Sequence, residues 1–208
     1  MKKTTINIVT GMLCPLFKNS AIVATIYPLL MLALITDKCA AQKAFPAPLT
    51  IGQYIPEQFW SQALTDISAK SDKIFMINSL KGRPFIIDFW ASWCNPCLAN
   101  MPHLDSLSRV GETSFHVIMA NTGGRIDSLK NLREFVKGYL KDKKDFNSPL
   151  VLYSPVLNAY FPHHVVPHYI WIGPDGRVKA ITDHRQINPA NIKTFVSGGN
   201  LDLPLKTR

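Results

Sequence analysis

The sequence predicts an α/β fold in which a mixed central sheet is sandwiched between flanking helices. Three observations predict it. β-prone runs alternate with helical stretches through the middle of the chain, at 85–90, 113–120, 150–153 and 168–172. The turn Trp93-Cys94-Asn95-Pro96-Cys97 joins the most apolar of these runs directly to a segment with helical spacing. The series ends in the turn Gly173-Pro174-Asp175-Gly176, a hairpin partner and a last helix.

The chain has 208 residues, 47% hydrophobic and 18% charged, a composition that fits one globular domain with a modest extension and excludes a disordered chain. The formal charge is +9, and residues 1–41 contribute Lys2, Lys3, Lys18 and Lys38 to it against a single acid, Asp37. The remainder holds 19 basic and 13 acidic residues, an excess that reads as a solvated basic face. No basic run is interleaved with aromatic residues, so no nucleic-acid partner is expected.

Lys2 and Lys3 open the chain, Ala21 to Ile35 is apolar apart from Thr25 and Pro28, and Cys39-Ala40-Ala41 supplies small residues for cleavage before Gln42. Residues 1–41 are therefore expected to be a signal peptide, with an uncleaved N-terminal anchor as the alternative. The apolar stretch is shorter than the ~20 residues of a membrane span. Residues 42–48 read as a linker, 49–200 as the folded domain and 201–208 as a C-terminal tail. Cys14 and Cys39 fall in the segment expected to be removed, which leaves Cys94 and Cys97. A disulfide between them would close a loop too short to stabilise much through chain entropy, so redox chemistry accounts for the pair better than stapling does.

Along the domain, Leu49 to Pro56 is a short extended segment and Phe59 to Lys70 has room for a helical turn or two. Ile74 to Ile77 is a strand, closed by the turn Lys81-Gly82-Arg83-Pro84. Phe85-Ile86-Ile87-Asp88-Phe89-Trp90 is a continuous β-prone run of the kind buried on both faces, with one acid in its middle. Pro96 fits the first turn of a helix, and Leu98, Met101, Leu104 and Leu107 continue it with Pro102 expected as a kink. Thr113 to Ala120 is the next strand, and Asp127 or Ser128 caps a helix to about Leu140. Lys141 to Asp145 is an exposed loop, Leu150 to Tyr153 a strand and Val156 to Tyr160 a short helix. His168 to Ile172 and Arg177 to Thr182 form the hairpin, and Asn188-Pro189 starts a final helix that ends near Gly198-Gly199.

The segment Asp88-Phe89-Trp90-Ala91-Ser92-Trp93-Cys94-Asn95-Pro96-Cys97 closely resembles the active-site stretch of thioredoxin-fold proteins. Leu80-Lys81-Gly82-Arg83-Pro84 before it and Met101-Pro102 after it resemble the exported TlpA/ResA-type thiol–disulfide oxidoreductases. Val165-Val166-Pro167-His168, running into Tyr169-Ile170-Trp171-Ile172-Gly173-Pro174-Asp175-Gly176, is similar to that family's segment in which a cis-proline faces the cysteines. The resemblance covers roughly residues 49 to 197 and implies a thioredoxin-like three-layer sandwich with an N-terminal extension. The 70 positions between Cys97 and Pro167 leave room for an insertion between the active-site helix and the cis-proline strand.

The resemblance implies a redox-active Cys94–Cys97 disulfide, with Cys94 the attacking thiolate at a helix N-terminus and Cys97 the resolving thiol. It makes Asp88 the acid that passes a proton to and from the deeper cysteine. Substrate contacts are expected from Trp93 as an apolar lip, from Asn95 and Pro96 between the cysteines, and from Val166, Pro167 and His168 opposite them. Two positions depart from the pattern. Asn100 stands where many relatives carry a glutamate, which leaves proton handling to Asp88, and His168 stands where threonine is usual. His168 is read either as a group that biases Cys94 and binds a partner or as a surface histidine. The expected activity is reduction of protein disulfides by a monomer that needs no cofactor and is recharged by a membrane-bound electron donor. Oxidation by the same dithiol is the alternative. A third class is a metal carrier built from the cysteines with His103, His163, His164 and His168, since thiolate and imidazole suit Zn or Cu(I).

Overall fold

The computed structural model describes residues 46–69, 72–109 and 115–206. The signal peptide or anchor expected at 1–41, Cys14 and Cys39 lie outside the described residues, as do the first part of the linker and the last two residues of the tail.

The elements, in chain order, begin with a short helix α1 (Glu57–Trp60) and the strands β1 (Ala63–Asp66) and β2 (Lys73–Met76), followed by a 3₁₀ turn at Ile77–Leu80. Then come β3 (Phe85–Trp90), α2 (Asn95–Ser108), β4 (His116–Asn121), α3 (Leu129–Tyr139), β5 (Leu150–Val151) and α4 (Pro155–Tyr160). The hairpin β6 (His168–Ile172) and β7 (Val178–Thr182) precedes a 3₁₀ turn at His184–Gln186 and the helix α5 (Pro189–Val196). Seven strands form one mixed sheet in the order β2-β1-β5-β4-β3-β6-β7. β3 pairs parallel with β4 and antiparallel with β6, so it sits inside the sheet, and all six of its residues are buried.

Because successive strand residues face opposite ways, β3 divides its side chains between two cores. Phe85, Ile87 and Phe89 join Phe59, Trp60, Leu157 and Tyr160 on the face covered by α1 and α4. Ile86 and Trp90 join Cys94, Cys97, Met101, Leu132, Ile192 and Phe195 on the face covered by α2, α3 and α5. These are the three layers of a thioredoxin-like sandwich. The interval between the active-site helix and the proline strand, where an inserted helix and strand were expected, holds β4, α3, β5 and α4.

The largest departure from expectation lies at residues 59–70. The helix stops at Trp60, and Ala63–Asp66 is a strand although Ala, Leu and Asp are indifferent strand formers. Tertiary pairing decides the matter. β1 runs antiparallel to β2 in a four-residue register, and the Asp66 carboxylate accepts from the Leu150 N–H at 3.1 Å and from the Ser68 N–H at 2.9 Å.

Pro102 leaves α2 unbroken over Asn95–Ser108. A proline at this position has no N–H for the Leu98 carbonyl, four residues back. The Tyr139 hydroxyl from α3 donates to that carbonyl instead, at 2.7 Å, so no backbone acceptor is orphaned. The helix α3 starts after Ser128, but its side chain makes no capping bond, and Asp127 is engaged elsewhere. In the hairpin, Gly176 at φ +74° closes the turn that a residue with a Cβ would strain.

Candidate active site

The two cysteines are set by the junction of β3 and α2. Cys94 is the N-cap of α2, and its Sγ accepts from the Cys97 N–H at 3.3 Å. Asn95 and Pro96 fill the first turn, where the missing proline N–H costs nothing. Cys94 and Cys97 are joined in a disulfide, with Cα atoms 5.3 Å apart. Cys94 is 4% exposed and Cys97 is fully buried, so Cys94 is the more accessible of the two sulfurs. Trp93, immediately before them, is 57% exposed.

The approach to this turn is pinned from β4. The Asp127 carboxylate accepts from the backbone N–H of Ser92 at 3.0 Å, from the Ser92 hydroxyl, and from Asn121 Nδ2 at 2.8 Å. Asn121 Oδ1 in turn accepts from the Gly123 N–H at 2.7 Å. A buried carboxylate thus fixes the backbone two residues before Cys94. Sequence reasoning placed Asp127 as a helix cap and missed this role, because its partners lie 35 and 6 positions away.

Asp88 is fully buried at the centre of β3, opposite Met119 on β4 and Tyr169 on β6. The strand alternation puts it on the same face as Ile86 and Trp90, within the layer that holds Cys97. Neither carboxylate oxygen meets hydrogen-bond geometry with a partner among the described residues. Burial pushes its pKa up to about 8, against the smaller opposing pulls of the Tyr169 hydroxyl and the Lys206 ammonium. Two phenols respond to it. Burial and then the Asp88 charge hold Tyr169 well above the ordinary tyrosine range, and the same two causes push Tyr139 up to about 12. Asn100 Nδ2 donates to the Tyr169 hydroxyl oxygen at 3.0 Å. That leaves the phenolic proton to turn toward another acceptor, and so gives Asn100, a residue that cannot titrate, a place in the polar shell of Asp88.

The Val166–Pro167 bond is cis. Val166 packs against both buried clusters, one of which includes the two cysteines. His168 differs from the surface reading. It is 2% exposed and opposes Phe89 in the sheet, so its ring lies on the other face from Asp88 and Cys97. There it stacks on His163 with centroids 4.8 Å apart and tilts toward Phe89 at 5.9 Å. The physical reason is the two-residue period of β6, which sends Tyr169 to the cysteine face and its neighbour the other way. His163 Nδ1 donates to the Phe161 carbonyl at 2.8 Å, and burial lowers its pKa. No group of three or more His, Cys, Asp or Glu side chains able to hold a metal ion comes together among the described residues.

The fold is thioredoxin-like, with a Cys94–Cys97 disulfide at the start of α2. No family model matches the chain. Its relatives include the thioredoxin-like protein YneN of Bacillus subtilis, 30% identical over 100 residues that cover 47% of this chain and 56% of that one. They also include the thiol–disulfide oxidoreductase ResA of Bacillus subtilis, 28% identical over 110 residues covering 51% and 56% of the two chains. The chain spans little more than half the length of these curated relatives. Among solved structures, the exposed lipoprotein thioredoxin of Streptococcus pneumoniae superimposes with a TM-score of 0.54 at 20% identity, covering 66% of this chain and 98% of that one.

Proposed function

We propose that the chain is an exported thiol–disulfide oxidoreductase that reduces disulfides in protein substrates through the Cys94–Cys97 dithiol. The observation that carries this reading is the Cys94–Cys97 pair at the N-terminus of α2, in the same layer as the buried carboxyl of Asp88.

The Cys94 thiolate, favoured by the unpaired N–H groups of the first turn of α2, attacks a substrate sulfur. The substrate S–S bond breaks, a Cys94–substrate disulfide forms and one substrate thiolate leaves. Cys97 then gives its proton to the ionised fraction of Asp88, and its thiolate attacks the Cys94 sulfur. The second substrate thiolate leaves, and the Cys94–Cys97 disulfide closes. Two electrons pass from the dithiol to the substrate. A dithiol donor, membrane-bound in this reading, returns them. Trp93, Asn95 and Pro96 form the exposed lip around the sulfurs, and the backbone of Val166, beside Pro167, pairs with an extended substrate segment. Neither residue between the cysteines carries charge, so the reduced state gains little beyond the helix terminus; that argues against the strongly oxidising end of the fold's range.

Export is supported by Lys2, Lys3, the apolar stretch from Ala21 and the small residues before Gln42. No helix among the described residues is long and apolar enough to cross a membrane.

The test is paired trapping. Cys97→Ser is expected to accumulate a covalent complex with a protein disulfide, and Cys94→Ser to accumulate none. Equal trapping by both variants would reject the assignment. A reduction potential near about −120 mV, rather than toward about −270 mV, would turn the reductase into an oxidase.

A further inference from the structure

We infer that Lys206 is a positioning residue for the substrate-facing loop: it ties the carbonyls of Val165 and Pro167 to the sheet and keeps a positive charge that acts on Asp88. The inference rests on the thiol–disulfide reading above.

Residues 201–206 were expected to be part of a tail, yet they are built into the domain. Leu201 and Leu203 pack against the buried cluster that holds the cysteines. The Lys206 N–H donates to the Ile181 carbonyl on β7 at 3.0 Å, which anchors the residue to the sheet. Its half-buried ammonium reaches the opposite way, donating to the Val165 carbonyl at 2.6 Å and to the Pro167 carbonyl. One cation therefore fixes the carbonyls at positions 165 and 167, and with them the 165–166 and 167–168 peptide planes on either side of the Val166–Pro167 bond. A docking strand gains affinity when its template is held in one orientation before it arrives, because less freedom is lost on binding.

The charge of Lys206 acts on the chemistry as well. Tyr169 from β6, Tyr139 from α3 and Lys206 from the segment after α5 are the groups that act on Asp88 or respond to its charge. Burial lowers the pKa of Lys206, while Asp183 and Asp88 raise it; His163 is its further titratable neighbour. Removing the ammonium both releases the loop and takes away a charge that favours ionised Asp88.

The experiment compares the full chain with Lys206→Ala, Lys206→Gln and Lys206→Arg. A disulfide-linked extended peptide and the small non-peptide bis(2-hydroxyethyl) disulfide serve as substrates. Lys206→Ala is expected to lower kcat/KM for the peptide about tenfold, the size of a lost charge-assisted pair of hydrogen bonds, with less than about a twofold change for the small disulfide. Lys206→Arg should restore most of the peptide rate. In the oxidised protein, the Asp88 carboxyl titration followed by infrared or ¹³C spectroscopy should move upward by about half a unit or more in Lys206→Ala and Lys206→Gln, and stay in place in Lys206→Arg. An equal loss on both substrates, no loss on the peptide, or an unmoved Asp88 titration overturns the inference. If the wild type reduces neither disulfide, the proposed function fails instead, and the Asp88 titration still decides the role of Lys206.

Discussion

Replacing Asp88 by Asn tests the centre of the site, because it keeps the shape of the side chain and removes its titration. Asp88 is fully buried, and burial raises its pKa from 3.8 to about 8. Between those values the folded protein holds a proton that the unfolded chain has already lost. Stability therefore falls as pH rises, by about 1.36 kcal/mol per unit where the two states differ by a whole proton. The penalty is absent below the ordinary carboxylate range and complete above about pH 8, where it reaches on the order of 5 kcal/mol. The Asp88→Asn variant pays none of it. Oxidised wild type and variant should be unfolded in guanidinium chloride at a series of pH values from about 5 to about 9. The variant is expected to be the more stable protein at neutral pH, by a margin that grows steadily with pH and levels off above about 8. Working with the disulfide closed keeps the cysteines out of the titration. A difference that stays flat across this range would refute the reasoning, since it would mean that Asp88 carries no abnormal proton. In the reduced protein, the proposed mechanism predicts that the same substitution slows the attack of Cys97 by about 10²-fold, read as a longer-lived mixed disulfide.

Two further predictions concern how the site is held. Tyr139→Phe removes the donor that covers the carbonyl left open by Pro102, and should cost about 1–2 kcal/mol in denaturant unfolding; restoring a backbone donor by Pro102→Ala in the same chain should recover most of it. Asp105→Ala strips the acceptor from the Asn147 N–H, the Ser148 N–H and the Ser148 hydroxyl, and unpairs Arg109. It should cost about 3 kcal/mol, against about 1 kcal/mol or less for Arg109→Ala, whose side chain is largely exposed.

What the sequence made legible is what local pattern controls. The run 85–90, the cysteine turn, the hairpin around Gly173–Gly176 and the Asn188-Pro189 start each carry their own signal, and each stands where that signal puts it. Cys94, Cys97 and Asp88 lie within ten positions of one another, so one strand–turn–helix unit carries all three. The rest depended on contacts between distant residues. Ala63–Asp66 is a strand because β2 and Leu150 pair with it, which its own composition does not announce. Asp127 reaches Ser92, Tyr139 reaches Leu98 and Lys206 reaches Val165 across 35, 41 and 41 positions. Pro102 does signal that a carbonyl needs a donor; it cannot say which side chain arrives.

His168 and Asp88 show how much of the chemistry the sheet register decides. Asp88 opposes Tyr169, and Phe89 opposes His168. A slip of one residue in β3 would exchange these faces, setting Phe89 against the cysteine layer and the carboxyl against the aromatic side of the sheet. In the observed register the only carboxyl of β3 is enclosed in the layer of Cys97, where burial brings its pKa to about 8. An ordinary cysteine thiol has a pKa of about 8.5. An acid raised toward that range is a better base for a thiol than an ordinary carboxylate, which is the part the proposed mechanism gives Asp88. A solvated carboxylate with its usual pKa would lie more than four units below the thiol and would be a poor base for it. In the proposed mechanism, the burial that destabilises the fold at high pH is therefore the same feature that suits Asp88 to a thiol.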